Sequence, residues 1–260
     1  MKKQTVCVWV GVWLFFTVLT CSGMNGKGDK DDQALLSLER IFVNREFDPE
    51  PTIRVTWLED GSAYTISEPS SRLKSGKDIV KIDPATGHRS VLVRAEQLVP
   101  PGSSDPLAVE DYSWSRDMRK LLVYTNSRRV WRRNTRGDYW VLDLEKGRLD
   151  RLGGEAEPST LMFAKFSPQG DRVAYVHRNN IYVQDLETMR ILKLTFDGSD
   201  TVINGTSDWV YEEEFGIRDG FRWSPDGRHI AFWQFDTSGV GVFRMINNTD
   251  FLYPRVITFR

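Results

Sequence analysis

From residue 56 onward, apolar and polar positions alternate in short runs separated by Gly, Pro, Asp and Ser, the period-two pattern of half-buried β-strands. One unit recurs along this pattern: an aromatic residue, a tight turn, then an apolar strand. Its four copies are Trp57-Leu-Glu-Asp-Gly61 before SAYTIS, Trp114-Ser-Arg-Asp-Met118 before RKLLVY, Phe166-Ser-Pro-Gln-Gly170 before DRVAYV, and Trp223-Ser-Pro-Asp-Gly227 before RHIAFW. The aromatic residues stand 57, 52 and 57 positions apart. Pro presets φ for the second turn position and Gly accepts positive φ at the turn's end, so turn chemistry sets the hairpin register. A second hairpin follows three of the copies, at Asp78 to Val93, Asp138 to Leu152 and Asn180 to Leu194. Two hairpins per unit of roughly 50 residues make a four-stranded sheet, and radial repetition of such sheets makes a β-propeller. A β-sandwich would supply short strands but no reason for the aromatic-turn unit to recur.

The expected fold class is therefore all-β, a partial β-propeller of four-stranded blades. The copy at Trp223 is followed only by residues 236–260, which end inside the strand-like RVITFR. The chain thus reads as a fragment whose blade edges await later blades. Residues 34–42 (ALLSLERIF) are the one amphipathic helical stretch and predict a short N-terminal helix.

The first residues depart from this pattern. Lys2 and Lys3 precede an uncharged apolar run from Val6 to Cys21, the layout of an export signal. As a helix this run spans roughly 24 Å, short of the ~30 Å hydrocarbon core, which favours a removable signal over a membrane anchor. Thr20 is a poor residue before Cys21 for the lipid anchor that Val18-Leu19-Thr20-Cys21 faintly resembles. The expected division is 1–22 signal or short anchor, 23–32 polar linker and 33–260 propeller, with the product exported to the periplasm, the cell surface or the medium. Both cysteines, Cys7 and Cys21, fall in the first segment, so packing rather than disulfides must hold the body. Lys plus Arg number 35 against 36 for Asp plus Glu, which offers no nucleic acid a counterion-releasing surface.

Candidate chemistry centres on residues 204–220, NGTSDWVYEEEFGIRDG, where three consecutive acids sit among Trp209, Tyr211 and Phe215. Asp208 can cap a short helical turn, on which neighbours point about 100° apart, so at most two of Glu212, Glu213 and Glu214 can converge on one atom. Two carboxylates held close would be relieved by a bound cation, and a primary ammonium meets that demand. The same acids could instead form a solvated face or pair with Arg218 and Arg222. A basic cluster, SRRVWRRNTR, carries Arg128, Arg129, Arg132, Arg133 and Arg136 between a strand ending near Tyr124 and one starting near Asp138. In an extended segment Trp131 and Arg132 would face opposite sides. No Gly-x-Ser-x-Gly elbow occurs, and His88, His177 and His229 lie in turn or strand contexts that suit structural roles. Neither a metal nor a cofactor is expected. Asn204-Gly-Thr and Asn247-Asn-Thr have the form of glycosylation sequons.

The stretch DWVYEEEF, with FRWSPDGRHIAFWQFD after it and NNIYV before it, resembles the dipeptidyl-peptidase IV family of serine peptidases, and the likeness runs from about Asp32 to Arg260. That resemblance implies the amino-terminal propeller of an exopeptidase that releases Xaa-Pro or Xaa-Ala dipeptides, about four blades of an expected eight. It implies that Glu213 and Glu214 hold a substrate's free amino terminus, with Glu212, Trp209, Tyr211 and Trp131 in support. Arg132, following Trp131, is implied to contact the carbonyl of the penultimate residue. The implied partners are a peptide with a free N-terminus, a C-terminal α/β-hydrolase domain carrying the catalytic triad, and a second copy in a homodimer. This chain alone would then be inactive. The reading from another class is a non-enzymatic exported propeller that binds proteins.

Overall fold

The computed structural model describes residues 35–50 and 52–259, so the expected signal or anchor (1–22) and linker (23–32) lie outside the described residues. The chain divides into two compact units, 1–52 and 53–260. In the first, the expected helix is reduced to one π-helical turn, Glu39–Val43, that buries none of its residues. Its N-cap, Leu38, offers no side-chain acceptor, and Arg40 turns back to the carbonyl of Leu35 at 2.6 Å. Ser37 Oγ accepts the amide of Arg40 at 3.2 Å, yet five residues have too few internal bonds to propagate a helix.

The second unit is built from antiparallel sheets, and in each four-stranded sheet the strands follow chain order. The first blade comprises β1 (Thr56–Trp57), β2 (Tyr64–Pro69), β3 (Lys77–Ile82) and β4 (Arg89–Val93). The second comprises β5 (Asp111–Trp114), β6 (Lys120–Arg129), β7 (Asn134–Asp143) and β8 (Arg148–Arg151). The third comprises β9 (Met162–Phe166), β10 (Arg172–His177), β11 (Asn180–Asp185) and β12 (Ile191–Lys193). Trp57, Trp114 and Phe166 each end the first strand of a blade, and the tight turn after each leads into the second. Gly61, Gly170 and Gly227 take positive φ of 68°, 70° and 66° in these turns; in the second blade Met118 adopts the same conformation at 60°.

Alternation within strands stacks the blades on one another. On β6, Leu121 and Val123 enter a core with Ile79 and Val93 of the first blade, while Leu122 enters a core with Val173 and Tyr175 of the third. On β10, Ala174 and Val176 turn the other way, toward Phe221 and Trp223. One strand with period two therefore feeds both neighbouring interfaces, the side-chain logic of radially stacked sheets. Polar bonds cross the interfaces too: Thr65 Oγ1 accepts from the Tyr112 hydroxyl (3.0 Å) and the Trp114 indole (3.1 Å).

After the third blade come β13 (Val202–Asn204), helix α1 (Trp209–Phe215), β14 (Phe221–Trp223), β15 (Ile230–Phe232) and β16 (Gln234–Asp236). The fourth aromatic-turn unit forms the β14–β15 hairpin, and β16 pairs instead with β13, so that α1 and this hairpin fall in the chain between two paired strands. A last hairpin joins β17 (Phe243–Asn247) and β18 (Arg255–Phe259).

Candidate functional site

The acidic run forms α1, and both of its ends are fixed by local chemistry. Asp208 caps the N-terminus by accepting the amide of Tyr211 at 3.2 Å. At the other end Gly216 takes φ of 66°, and the amides of Gly216 and Ile217 close onto the carbonyls of Glu212 and Tyr211 at 3.1 Å each. Tyr211 packs the helix down, its ring 5.0 Å from Phe235, 5.5 Å from Phe215 and 5.9 Å from Trp233. Around the helix, Glu212 is buried, Glu213 half-buried and Glu214 exposed.

The basic cluster is not the loop its composition suggests. Strands β6 and β7 run past Tyr124 and Asp138 as a long hairpin that places Trp131, Arg132 and Arg133 at its tip. The register shifts between Thr125 and Arg128, where Asn126 takes φ of 48°. Such a bulge bends the ribbon. Asp138, 8% exposed, fixes it: its carboxylate accepts from Asn126 Nδ2 (2.7 Å), the amide of Ser159 (2.9 Å) and Arg151 Nη2 (3.0 Å).

The hairpin tip meets the helix through carboxylates. Glu212 accepts the backbone amides of Arg132 (3.1 Å) and Arg133 (3.0 Å) on Oε1, and its Oε2 lies 3.6 Å from Arg218 Nε. Burial pulls the Arg218 guanidinium down from its ordinary pKa, against the upward pull of the Glu212 carboxylate. Glu213 receives the Arg132 guanidinium on both oxygens and the Trp131 indole N–H on Oε2 at 3.3 Å. The hydrogen bonds from Arg132 hold the Glu213 carboxyl below the usual carboxylate range. Of the four or so lone-pair sites of a carboxylate, this leaves one open, on Oε1. Arg133 Nη1 donates to the carbonyl of Gly216 at 3.3 Å, placing a cation at the helix C-terminus. The indole rings of Trp131 and Trp209 lie 5.6 Å apart, and Phe259 stands 5.9 Å from Trp131.

Several sequence expectations change here. The alternative in which arginines of the chain hold the acids applies to Glu212 and Glu213, through Arg218 and Arg132, while Arg222 pairs with Asp219 at 2.9 Å. Glu214 has no ion pair among the described residues. Trp131 and Arg132 do not oppose each other, because they sit in a turn rather than an extended segment, and both reach Glu213. Glu212 is the link between the two elements, and Asp138 and Arg133 were not singled out. Only the polar interruption Thr125-Asn126-Ser127 within an apolar strand hinted at the bulge. A cavity of about 520 Å³ adjoins the helix start, lined in part by Asp208, Trp209, Arg218 and Phe259; Glu213, Glu214 and Arg132 are not among its walls.

With this geometry in hand, the family model of the dipeptidyl peptidase IV (DPP IV) N-terminal region matches residues 115–260. The chain belongs to this family. Among curated relatives, dipeptidyl aminopeptidase B of Saccharomyces cerevisiae is 37% identical over 158 residues, covering 60% of this chain and 18% of that protein. A probable dipeptidyl-aminopeptidase B of Phaeosphaeria nodorum is 36% identical over 130 residues, covering 50% of this chain and 14% of that protein. The crystal structure of Porphyromonas gingivalis dipeptidyl peptidase 4 superposes with a TM-score of 0.73 at 27% identity, covering 86% of this chain and 31% of that one. The fold is thus that of a DPP IV N-terminal propeller in part, and the chain spans less than a fifth of these two curated relatives. The matched segment contains both the Trp131–Arg133 hairpin tip and α1.

Proposed function

We propose that this chain is the substrate-recognition part of an exported serine exopeptidase that releases Xaa-Pro or Xaa-Ala dipeptides from peptide N-termini. The observation that carries this is the pairing of a pre-oriented Arg132–Glu213 unit with an exposed neighbouring carboxylate, Glu214, that has no ion pair among the described residues. An α-ammonium brings three donors. One would go to the open lone pair of Glu213 Oε1 and the others to Glu214, while Arg132, fixed by Glu213, would present a remaining N–H to the first peptide carbonyl. Two residues are thereby measured from the terminus to a serine on a hydrolase domain outside this chain. Acetylating the amine removes the charge and leaves Glu214 and the open site of Glu213 without their donors on binding, which is the physical basis for exopeptidase selectivity. Export is supported by the charged and apolar arrangement of residues 1–22.

The test is hydrolysis of Gly-Pro chromophore conjugates with free and with acetylated amino ends by the full-length protein. The free conjugate is expected to be preferred by about a hundredfold, and Glu213→Gln to lower kcat/KM for it by about tenfold or more. The free-amine preference should fall as pH rises through about 8, where α-amines lose their proton. Equal rates on the two conjugates would overturn the assignment.

A further inference from the structure

Glu212 takes no part in this capture of the amine, yet it is the most buried of the three acids and the one that joins the two halves of the site. We propose that Glu212 is the positioning residue of the site, holding the backbone of the hairpin tip so that Arg132 and Glu213 meet in one geometry; this rests on the reading that the pair receives a peptide's amino terminus. With its side chain 1% exposed, Glu212 is out of reach of a ligand. Its Oε1 fills the concavity formed by the successive amides of Arg132 and Arg133, an anion-binding arrangement of backbone that here takes a side chain from about 80 residues away. Binding the amides rather than the guanidinium fixes where Arg132 starts and leaves its head for Glu213. Arg218, 13% exposed, stands behind the carboxylate and offsets its charge, so the buried acid does not compete for a cation. Adjacent helical residues are about 100° apart, and anchoring Glu212 therefore sets the direction of Glu213 and Glu214 as well.

The experiment compares Glu212→Ala, Glu212→Asp, Glu212→Gln and Glu213→Gln in the full-length protein, with two readouts. Hydrogen exchange follows the amides of Arg132 and Arg133, and steady-state kinetics follow free and acetylated Gly-Pro conjugates. Ala has no acceptor and Asp is one methylene too short, so both should speed exchange at those two amides about tenfold. KM for the free conjugate should rise about tenfold with kcat changed less than about threefold. Glu212→Gln retains an oxygen for both amides and should restore exchange and KM to within about threefold of wild type. Glu213→Gln should raise KM while leaving the amides protected. Unchanged exchange in Glu212→Asp overturns the proposal, as does a lowered melting temperature with unchanged KM, which is a purely structural role. So does a KM in Glu212→Gln as high as in Glu213→Gln, which places Glu212 against the substrate. Should Glu212→Ala fail to fold, the Asp and Gln variants decide. If wild type cleaves both conjugates equally, the amine reading fails separately, and exchange still reports whether Glu212 holds the hairpin tip.

Discussion

Replacing Asp138 by Ala would test whether the reach of the hairpin depends on its buried base. The carboxylate, on a residue 8% exposed, satisfies a guanidinium, a backbone amide and a side-chain amide, and Ala would remove the acceptor that all three share. A buried donor left unpaired costs about 1–3 kcal/mol. Arg151 is 29% exposed and keeps the carbonyl of Ala156 at 3.1 Å, and Asn126 is exposed, so both shares are discounted for water and the Ser159 amide carries most of the cost. The total is about 3 kcal/mol, a large fraction of the 5–15 or so that holds a domain together. Asn126 and Ser159 add to the effect. Both sit at positive φ, 48° and 59°, and both are tied to Asp138. Urea unfolding followed by Trp fluorescence should shift its midpoint down by about 1 M at a slope near 3 kcal/mol/M. Because the bulge aims Trp131 and Arg132, KM for a free-amine Gly-Pro conjugate should rise in parallel. Asp138→Asn, which keeps one acceptor oxygen, should lose about half as much stability. A midpoint within experimental error of wild type in Asp138→Ala, with unaltered KM, would refute the reasoning.

Three further outcomes follow from single positions. Met118 holds a left-handed conformation that costs an L-residue about 1–2 kcal/mol, more than the 0.5–1 or so that Gly loses in chain entropy, so Met118→Gly should leave the melting temperature equal or higher; a clear drop would contradict this. Lys165 Nζ lies 2.5 Å from Asp219, 3.0 Å from the carbonyl of Phe221 and 3.7 Å from that ring's centre, and burial pulls its pKa down to about 8 from 10.5, against the upward pull of Asp219. Between those values the unfolded chain keeps a proton the folded chain has released, so the stability of wild type relative to Lys165→Met should rise from pH 8 to pH 10, and a flat difference in calorimetric melts would refute it. Asn204 is fully buried, bonded to Asp197 at 2.9 Å and Gln234 at 2.8 Å, whereas Asn247 is half-buried at the end of the exposed strand β17, its amide bonded only locally, to Asp250 at 2.6 Å. In a eukaryotic secretory host, glycopeptide mass spectrometry should find glycan only at Asn247, and occupancy at Asn204 in folded protein would count against the fold there.

The blades were legible because their chemistry is local: each aromatic residue, turn and strand lies within about a dozen positions, and Ser224 with Asp226 or Ser115 with Asp117 closes its turn without distant help. The extent of the β6–β7 hairpin was not legible. Arg-rich composition reads as solvated loop, and what holds the strands together beyond Tyr124 is a buried aspartate and a bulge whose partners, Arg151 and Ser159, are remote in the chain. The acids were found by motif and Arg218 was named beside them, but the pairing of Trp131 and Arg132 with Glu213 was not foreseen, since it reaches across about 80 residues.

The proposed capture of an ammonium needs two carboxylates, and the same division gives the third acid of the run a separate task. A helix turns about 100° per residue, so a run of three presents one side chain inward, one sideways and one outward. Inward, Glu212 can be afforded only with a counter-charge and hydrogen bonds, which Arg218 and two amides supply. Sideways, Glu213 is half-covered and meets the guanidinium that the hairpin carries. Outward, Glu214 stays hydrated and unpaired among the described residues, its charge uncommitted. Moving the run by one position along the helix would keep its composition and charge while rotating each carboxylate away from its partner. The order of the acids relative to Asp208 and Gly216, more than their number, is therefore what converts an acidic stretch into a directed site.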